Sequence, residues 1–188
     1  AFIGTFILLL LSGSILRGQE DPKLLDALKK LKEHSAEDSV KVTLLNDLAK
    51  EYRRSNPSKS VKTNLEAAAL GEKIGYVKGV INAFTGIGVA LKDQGLPDSA
   101  LIFHFKALEL CGTFPEHEKA KARVLNNIGI AYKEKLDFNK AVKYYSDAIV
   151  INEKYNDLEG LGMCNNNIGI IYKRQDQLDK ALIYFQKA

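Results

Sequence analysis

The sequence predicts an all-α fold, a stacked array of helices, and three observations carry that expectation. First, Asn126-Asn127-Ile128-Gly129-Ile130-Ala131-Tyr132 returns as Asn166-Asn167-Ile168-Gly169-Ile170-Ile171-Tyr172, and self-similarity at a fixed period of about 40 residues is the mark of a repeat architecture. Second, the residues after each copy repeat as well: Asp137, Ala141 and Tyr144-Tyr145 answer to Asp176, Ala181 and Tyr184-Phe185. Third, strand signals are absent throughout, because no segment alternates apolar and polar residues between turn residues.

At the same spacing upstream lie Thr85-Gly86-Ile87-Gly88-Val89-Ala90-Leu91 and, before it, Asn46-Asp47-Leu48-Ala49-Lys50-Glu51-Tyr52. Four repeats are therefore expected, at about 37–76, 77–114, 115–156 and 157–188, with Ala49, Gly88, Gly129 and Gly169 as their landmarks. The last stops inside an expected helix. Residues 2–11 form a uniformly apolar run, followed by the polar Arg17-Gly18-Gln19-Glu20-Asp21. The run is shorter than the roughly 20 residues a spanning helix needs and has the shape of a secretory signal. Residues 1–18 are expected to lie outside the fold as a signal peptide, an uncleaved anchor being the competing reading. The chain is then expected to be exported, to the periplasm or the extracytoplasmic face of the inner membrane.

A leading, capping helix is expected within 19–36. Asp21-Pro22 supplies a cap acceptor and a proline at the first helical position. Leu24, Leu25, Leu28 and Leu31 share one face, and Lys23, Lys29, Lys30 and Lys32 form a solvated one. Repeat one should use helices at about 37–54 and 57–74, with Asn56-Pro57 as the turn between them. Repeat two should run from 77 to 94, turn at Gly95-Leu96-Pro97 and continue over 98–111. Helices at about 115–135 and 138–155, then 158–174 and from 178 onward, complete the array. Its last helix should leave an apolar edge at Leu182, Tyr184 and Phe185, since the end of a solenoid lacks a neighbour.

A formal net charge of +4 is too mild to imply a nucleic-acid partner. Cys111 and Cys164 fall at different places in different repeats, so two isolated thiols are expected instead of a bridge. His34, His104 and His117 have no metal-ligand spacing, and no Ser, His and Asp set assembles from equivalent positions. His104 takes the place of Tyr145 and Phe185 in later repeats, which reads as inter-helix packing. Gly86 and Gly88 are not followed by G-x-x-x-x-G-K-[ST], so close packing and not a phosphate loop is expected there. Asp98, Asp137, Asp157 and Asp176 lie near helix starts, where carboxylates cap backbone N–H groups. No catalytic constellation, cofactor site or metal site is expected.

The order of residues, a small residue, an aromatic or Leu three later, a turn, an Ala nine later and then an aromatic, resembles the tetratricopeptide repeat. The period of about 40 exceeds that family's usual 34 and resembles its long-repeat variant in bacterial signalling proteins and kinesin light chains. Repeat one departs from the pattern, with Ser60 and Asn64 for the Ala and the aromatic. The resemblance implies antiparallel helix pairs in a right-handed α-solenoid, with the small residue admitting close helix approach. It also implies a concave groove lined by the first helix of each pair.

Two ladders should face that groove. Two residues before the landmark stand Asp47, Gly86, Asn127 and Asn167; four after it stand Arg53, Lys92, Lys133 and Lys173. An Asn at the first position resembles the residue family members use to hold a peptide backbone, since its amide both donates and accepts. It could equally bond to the neighbouring helix and shape the stack. The cations either attract ligand carboxylates or form a solvated edge. The implied partner is a peptide or protein segment, with no nucleic acid. The order of the whole chain, including Leu45 to Tyr52, Ser55-Asn56-Pro57 and Lys73-Ile74-Gly75-Tyr76, resembles the extracytoplasmic sensor regions of bacterial membrane histidine kinases. That would make it part of a signal-transduction protein; the alternative is a free-standing secreted adaptor or scaffold.

Overall fold

A computed structural model describes residues 22–188. The expected signal segment and the Asp21 cap lie outside the described residues. Among the described residues there is no strand. The helices are α1 (Pro22–Glu33), α2 (Ser39–Ser55), α3 (Pro57–Ile74), α4 (Val77–Asp93), α5 (Pro97–Thr113), α6 (Glu118–Glu134), α7 (Phe138–Lys154), α8 (Leu158–Arg174) and α9 (Leu178–Gln186). A 3-10 turn at Pro115–His117 precedes α6. This corrects the single helix expected from residue 115, because the helical ladder starts only at Glu118.

Local chemistry sets these boundaries. The Asp38 carboxylate accepts from the backbone N–H groups of Val40 and Lys41 at 3.0 Å, capping α2. Asn56 caps α3 by accepting from Lys59 N–H, with Pro57 at the first helical position. Asp137 and Asp157 cap α7 and α8 through Lys140 and Gly160. The expectation for the other two acids is corrected. Asp98 sits inside the first turn of α5 and pairs instead with Lys135. Asp176 occupies a turn with φ 59°, ahead of a helix that lacks a side-chain cap. Left-handed residues recur at the turns, as Gly75, Gly95, Leu136, Asn156 and Asp176. Leu136 is the costly member, since a branched side chain gains nothing from that conformation.

Each helix packs on the next in sequence, and α2, α4, α6 and α8 also touch one another in succession. The second helices of the pairs make no comparable contact, so the stack curves with its first helices inward. At each landmark glycine an aromatic or aromatic-like ring of the second helix lies on the first. A Cβ on Gly88 would stand 2.4 Å from the His104 ring; on Gly129 and Gly169 it would stand 2.6 Å from the Tyr145 and Phe185 rings. These glycines are required by close approach and not by a turn.

The core is a seam. Val42, Leu45, Ala67, Ala68, Val80 and Ala83 form its first part, Ile81, Leu101 and Ile128 belong to the second, and Tyr145, Ile168 and Ile171 to the third. Phe84 and Leu110 join the first two, and Tyr132, Tyr144 and Leu108 join the last two. Burying each isoleucine fully is worth roughly 1.5–3 kcal/mol, so neighbouring repeats stabilise one another as expected of a solenoid. On α9, Leu182 and Phe185 are exposed, whereas Tyr184 is half-buried and stacks on Tyr172 at 5.5 Å.

Candidate functional site

The face made by the first helices carries a cavity of about 520 Å³, lined from α2, α4, α6 and α8. Four of the seven residues expected at a groove line it: Asp47, Arg53, Lys92 and Asn127. Lys133, Asn167 and Lys173 do not, and the first two meet each other. Lys133 Nζ donates to Asn167 Oδ1 at 2.7 Å, across the junction between the third and fourth repeats. The bond continues inward, since Asn167 Nδ2 reaches Asn126 Oδ1 at 3.5 Å, which also accepts from the Cys164 thiol at 3.6 Å. Burial and the nearby Arg174 pull the Lys133 ammonium below its ordinary range. Asn167 is thus engaged with the stack, while Asn127 faces the cavity. Lys173 is exposed, outside the cavity.

The cationic ladder is interleaved with acids. Asp93 lies between Arg53 Nε at 3.3 Å and Lys92 Nζ at 2.5 Å, and Glu134 approaches Lys92 at 3.9 Å. The residues that make this possible occupy the next column of the repeat, Arg54, Asp93, Glu134 and Arg174. Reading that column would have found the two acids. Partly exposed pairs of this kind contribute little stability, about 0–1 kcal/mol each, and hold the long side chains in place along the groove.

Further lining residues escaped the sequence reading. Arg123 donates to Asn82 Oδ1 at 2.5 Å, linking the second and third repeats. Asn46 donates to the Gly79 carbonyl at 3.1 Å. Asn126, one residue before the expected Asn127, is the buried amide of the doublet. Its signal was the column Asn46, Thr85, Asn126 and Asn166, polar at every repeat. From the second helices, Ser60, Asn64 and His104 also reach the cavity. Burial, reinforced by Lys92, lowers the His104 imidazole to about 4, so it is neutral at pH 7.

Both cysteines are buried and free. Burial pushes the Cys164 thiol up to about 11 and raises Cys111 as well, so neither is an activated nucleophile. Among the described residues no group of three or more His, Cys, Asp or Glu side chains could hold a metal ion.

Residues 121–188 match the family described as tetratricopeptide repeat. No curated protein matches the chain. Among solved structures, BtubC from P. vanneervenii is 21% identical, with a TM-score of 0.69 over 87% of this chain and 68% of its own. A Rap protein complexed with competence and sporulation factor is 21% identical, with a TM-score of 0.77 over 87% of this chain and 45% of its own. Aspartyl phosphate phosphatase F from Bacillus subtilis is 19% identical, with a TM-score of 0.76 over 85% and 42%. This chain thus spans less than half the length of the latter two. Residues 121–188 match the tetratricopeptide repeat, and the fold of the described chain is a tetratricopeptide-like helical solenoid.

Proposed function

We propose that the array binds a peptide or an extended protein segment along its first-helix groove, as the extracytoplasmic sensor part of a membrane signal-transduction protein. The observation that carries the binding reading is the cavity itself, about 520 Å³, lined across the first three repeats by amides and charged side chains and closed by Met163 of the fourth. Amides at regular intervals suit an extended backbone, which offers alternating donors and acceptors. Lys50, Arg53, Lys92 and Arg123 outnumber Asp47 and Asp93 on the lining, so an acid-bearing segment is favoured over a basic one. The similar Rap protein was solved with competence and sporulation factor, which supports a ligand-binding role for this fold. The sensor reading rests on the apolar residues 2–11 and on the resemblance to sensor regions. Among the described residues no helix is long and apolar enough to cross a membrane.

Selection of a random dodecapeptide display library on the immobilised full chain tests the binding reading. Acid-rich sequences are expected, with affinity that falls as salt rises and falls several-fold in Asn127→Ala and Lys92→Gln. A library that returns no binders, or binders indifferent to both substitutions, overturns it. For the sensor reading, fractionation of the native host should place the chain outside the cytoplasm; recovery in the cytosol rejects that placement.

A further inference from the structure

The cavity has a recess at the first two repeats that the later repeats lack. Where the third and fourth pairs set Tyr145 and Phe185 against Gly129 and Gly169, the first two set Asn64 and His104. Where they carry Ala141 and Ala181, the first carries Ser60, whose hydroxyl donates to the Ala49 carbonyl at 2.7 Å. Ser60, Asn64 and His104 belong to second helices and are almost wholly buried, yet all three line the cavity of the first-helix face. Gly86 lies against Asn64, where a Cβ would stand 2.8 Å from the amide, so a side chain at this position would displace the Asn64 amide from its place on the lining.

Two buried polar atoms in this recess lack a partner among the protein's own groups, His104 Nδ1 and Asn46 Oδ1. Leaving such an atom unpaired costs about 1–3 kcal/mol, so a ligand group that meets it recovers part of that cost. The chemistry of the recess limits what can enter. Its floor is neutral and hydrogen-bonding, while Lys92 and Arg53 stand on the same lining. A ligand cation would meet those charges. A carboxylate would be better served at the cationic rim than on a neutral floor, and an apolar side chain would leave both atoms unpaired.

We propose that this recess is a side-chain subsite of the groove, taking one uncharged hydrogen-bonding side chain of a bound peptide, a carboxamide or a hydroxyl, through His104, Asn46 and Asn64. The subsite rests on the peptide-binding reading above. It confines selectivity to one ligand position, while the neighbouring cations select acids on either side of it. The later repeats supply no equivalent, because Tyr145 and Phe185 present no polar group to this lining and neither reaches the cavity.

Positional analysis of the dodecapeptide selection, run in parallel on the full chain and on His104→Phe, tests it. Phe already occupies the equivalent place opposite Gly169, so the variant is expected to fold, and its circular dichroism melt checks this. From the unaltered chain the selected pool should show Asn, Gln, Ser or Thr enriched at one position flanked by Asp or Glu. From His104→Phe the acidic flanks should persist and the central preference vanish. A selected peptide should also bind His104→Phe and Gly86→Ala roughly three- to tenfold more weakly by fluorescence polarisation; Gly86→Ala supplies the comparison should His104→Phe misfold. Acid-rich binders with no uncharged polar preference, or a preference unchanged in His104→Phe, overturn the subsite and leave groove binding standing. A pool with no binders at all overturns both.

Discussion

Lys133 Nζ lies 2.7 Å from Asn167 Oδ1, so a cation of one repeat is held by the amide of the next. The same amide reaches Asn126 at 3.5 Å. Two residues expected to face a ligand are thereby joined to each other and to the floor of the stack. Asn167→Ala should leave the half-buried Lys133 without its acceptor and lower stability by about 1–3 kcal/mol. Asn127→Ala, at the equivalent place facing the cavity, should stay within about 0.5 kcal/mol. Urea melts of the two variants check this, and equal losses would refute the distinction.

The landmark glycines make a second prediction, on packing. Gly129→Ala gains helix propensity of about 1 kcal/mol, but its Cβ would stand 2.6 Å from the Tyr145 ring, and overpacking costs about 1–3 kcal/mol. The ring is rigid and fully buried, so the clash should win and the melting temperature should fall. Gly112→Ala is the control. Nothing lies within 4 Å of its Cβ position, and it should melt at the same or a higher temperature. A stabilised Gly129→Ala would contradict the role given to the landmark.

Tyr145 carries a buried hydroxyl without a partner among the protein's groups. Burial pushes the phenol well above its ordinary range, so it remains protonated. Tyr145→Phe removes the unpaired atom and keeps the ring on Gly129, matching Phe185 on Gly169. It should be neutral or stabilising by about 1 kcal/mol. A loss larger than that in chemical denaturation would reveal a hydrogen bond that the phenol makes in solution.

Acid should destabilise the array through His104. Its folded value of about 4 lies below the unfolded value of 6.5, so the unfolded chain takes up the proton first. No stability is lost through this residue above pH 6.5. Below it stability falls as pH drops towards 4, by roughly 3 kcal/mol in all. His104→Phe lacks this contribution and should lose less stability between pH 7 and pH 4. Melts of both proteins across that range decide the matter, and parallel curves would reject it.

Periodicity alone determined the helical array, because Gly129, Tyr132 and Ala141 recur as Gly169, Tyr172 and Ala181, and each repeat must bury the same face against its neighbours. The sequence also determined four of the helix starts, through Asp38, Asn56, Asp137 and Asp157, since a cap acts within three residues of itself. Local reasoning missed Asp176, where the turn needs a left-handed residue and the carboxylate is used for its backbone. Tertiary structure decided the groove. The ladder positions were legible as columns, but whether an amide faces a ligand or a neighbour depends on what the adjacent repeat sets opposite it. Asn167 meets Lys133 and Asn126, Arg53 meets Asp93, and Asn64 packs against Gly86. Those partners lie one repeat away along the chain, and only the packing of helix on helix brings them within reach.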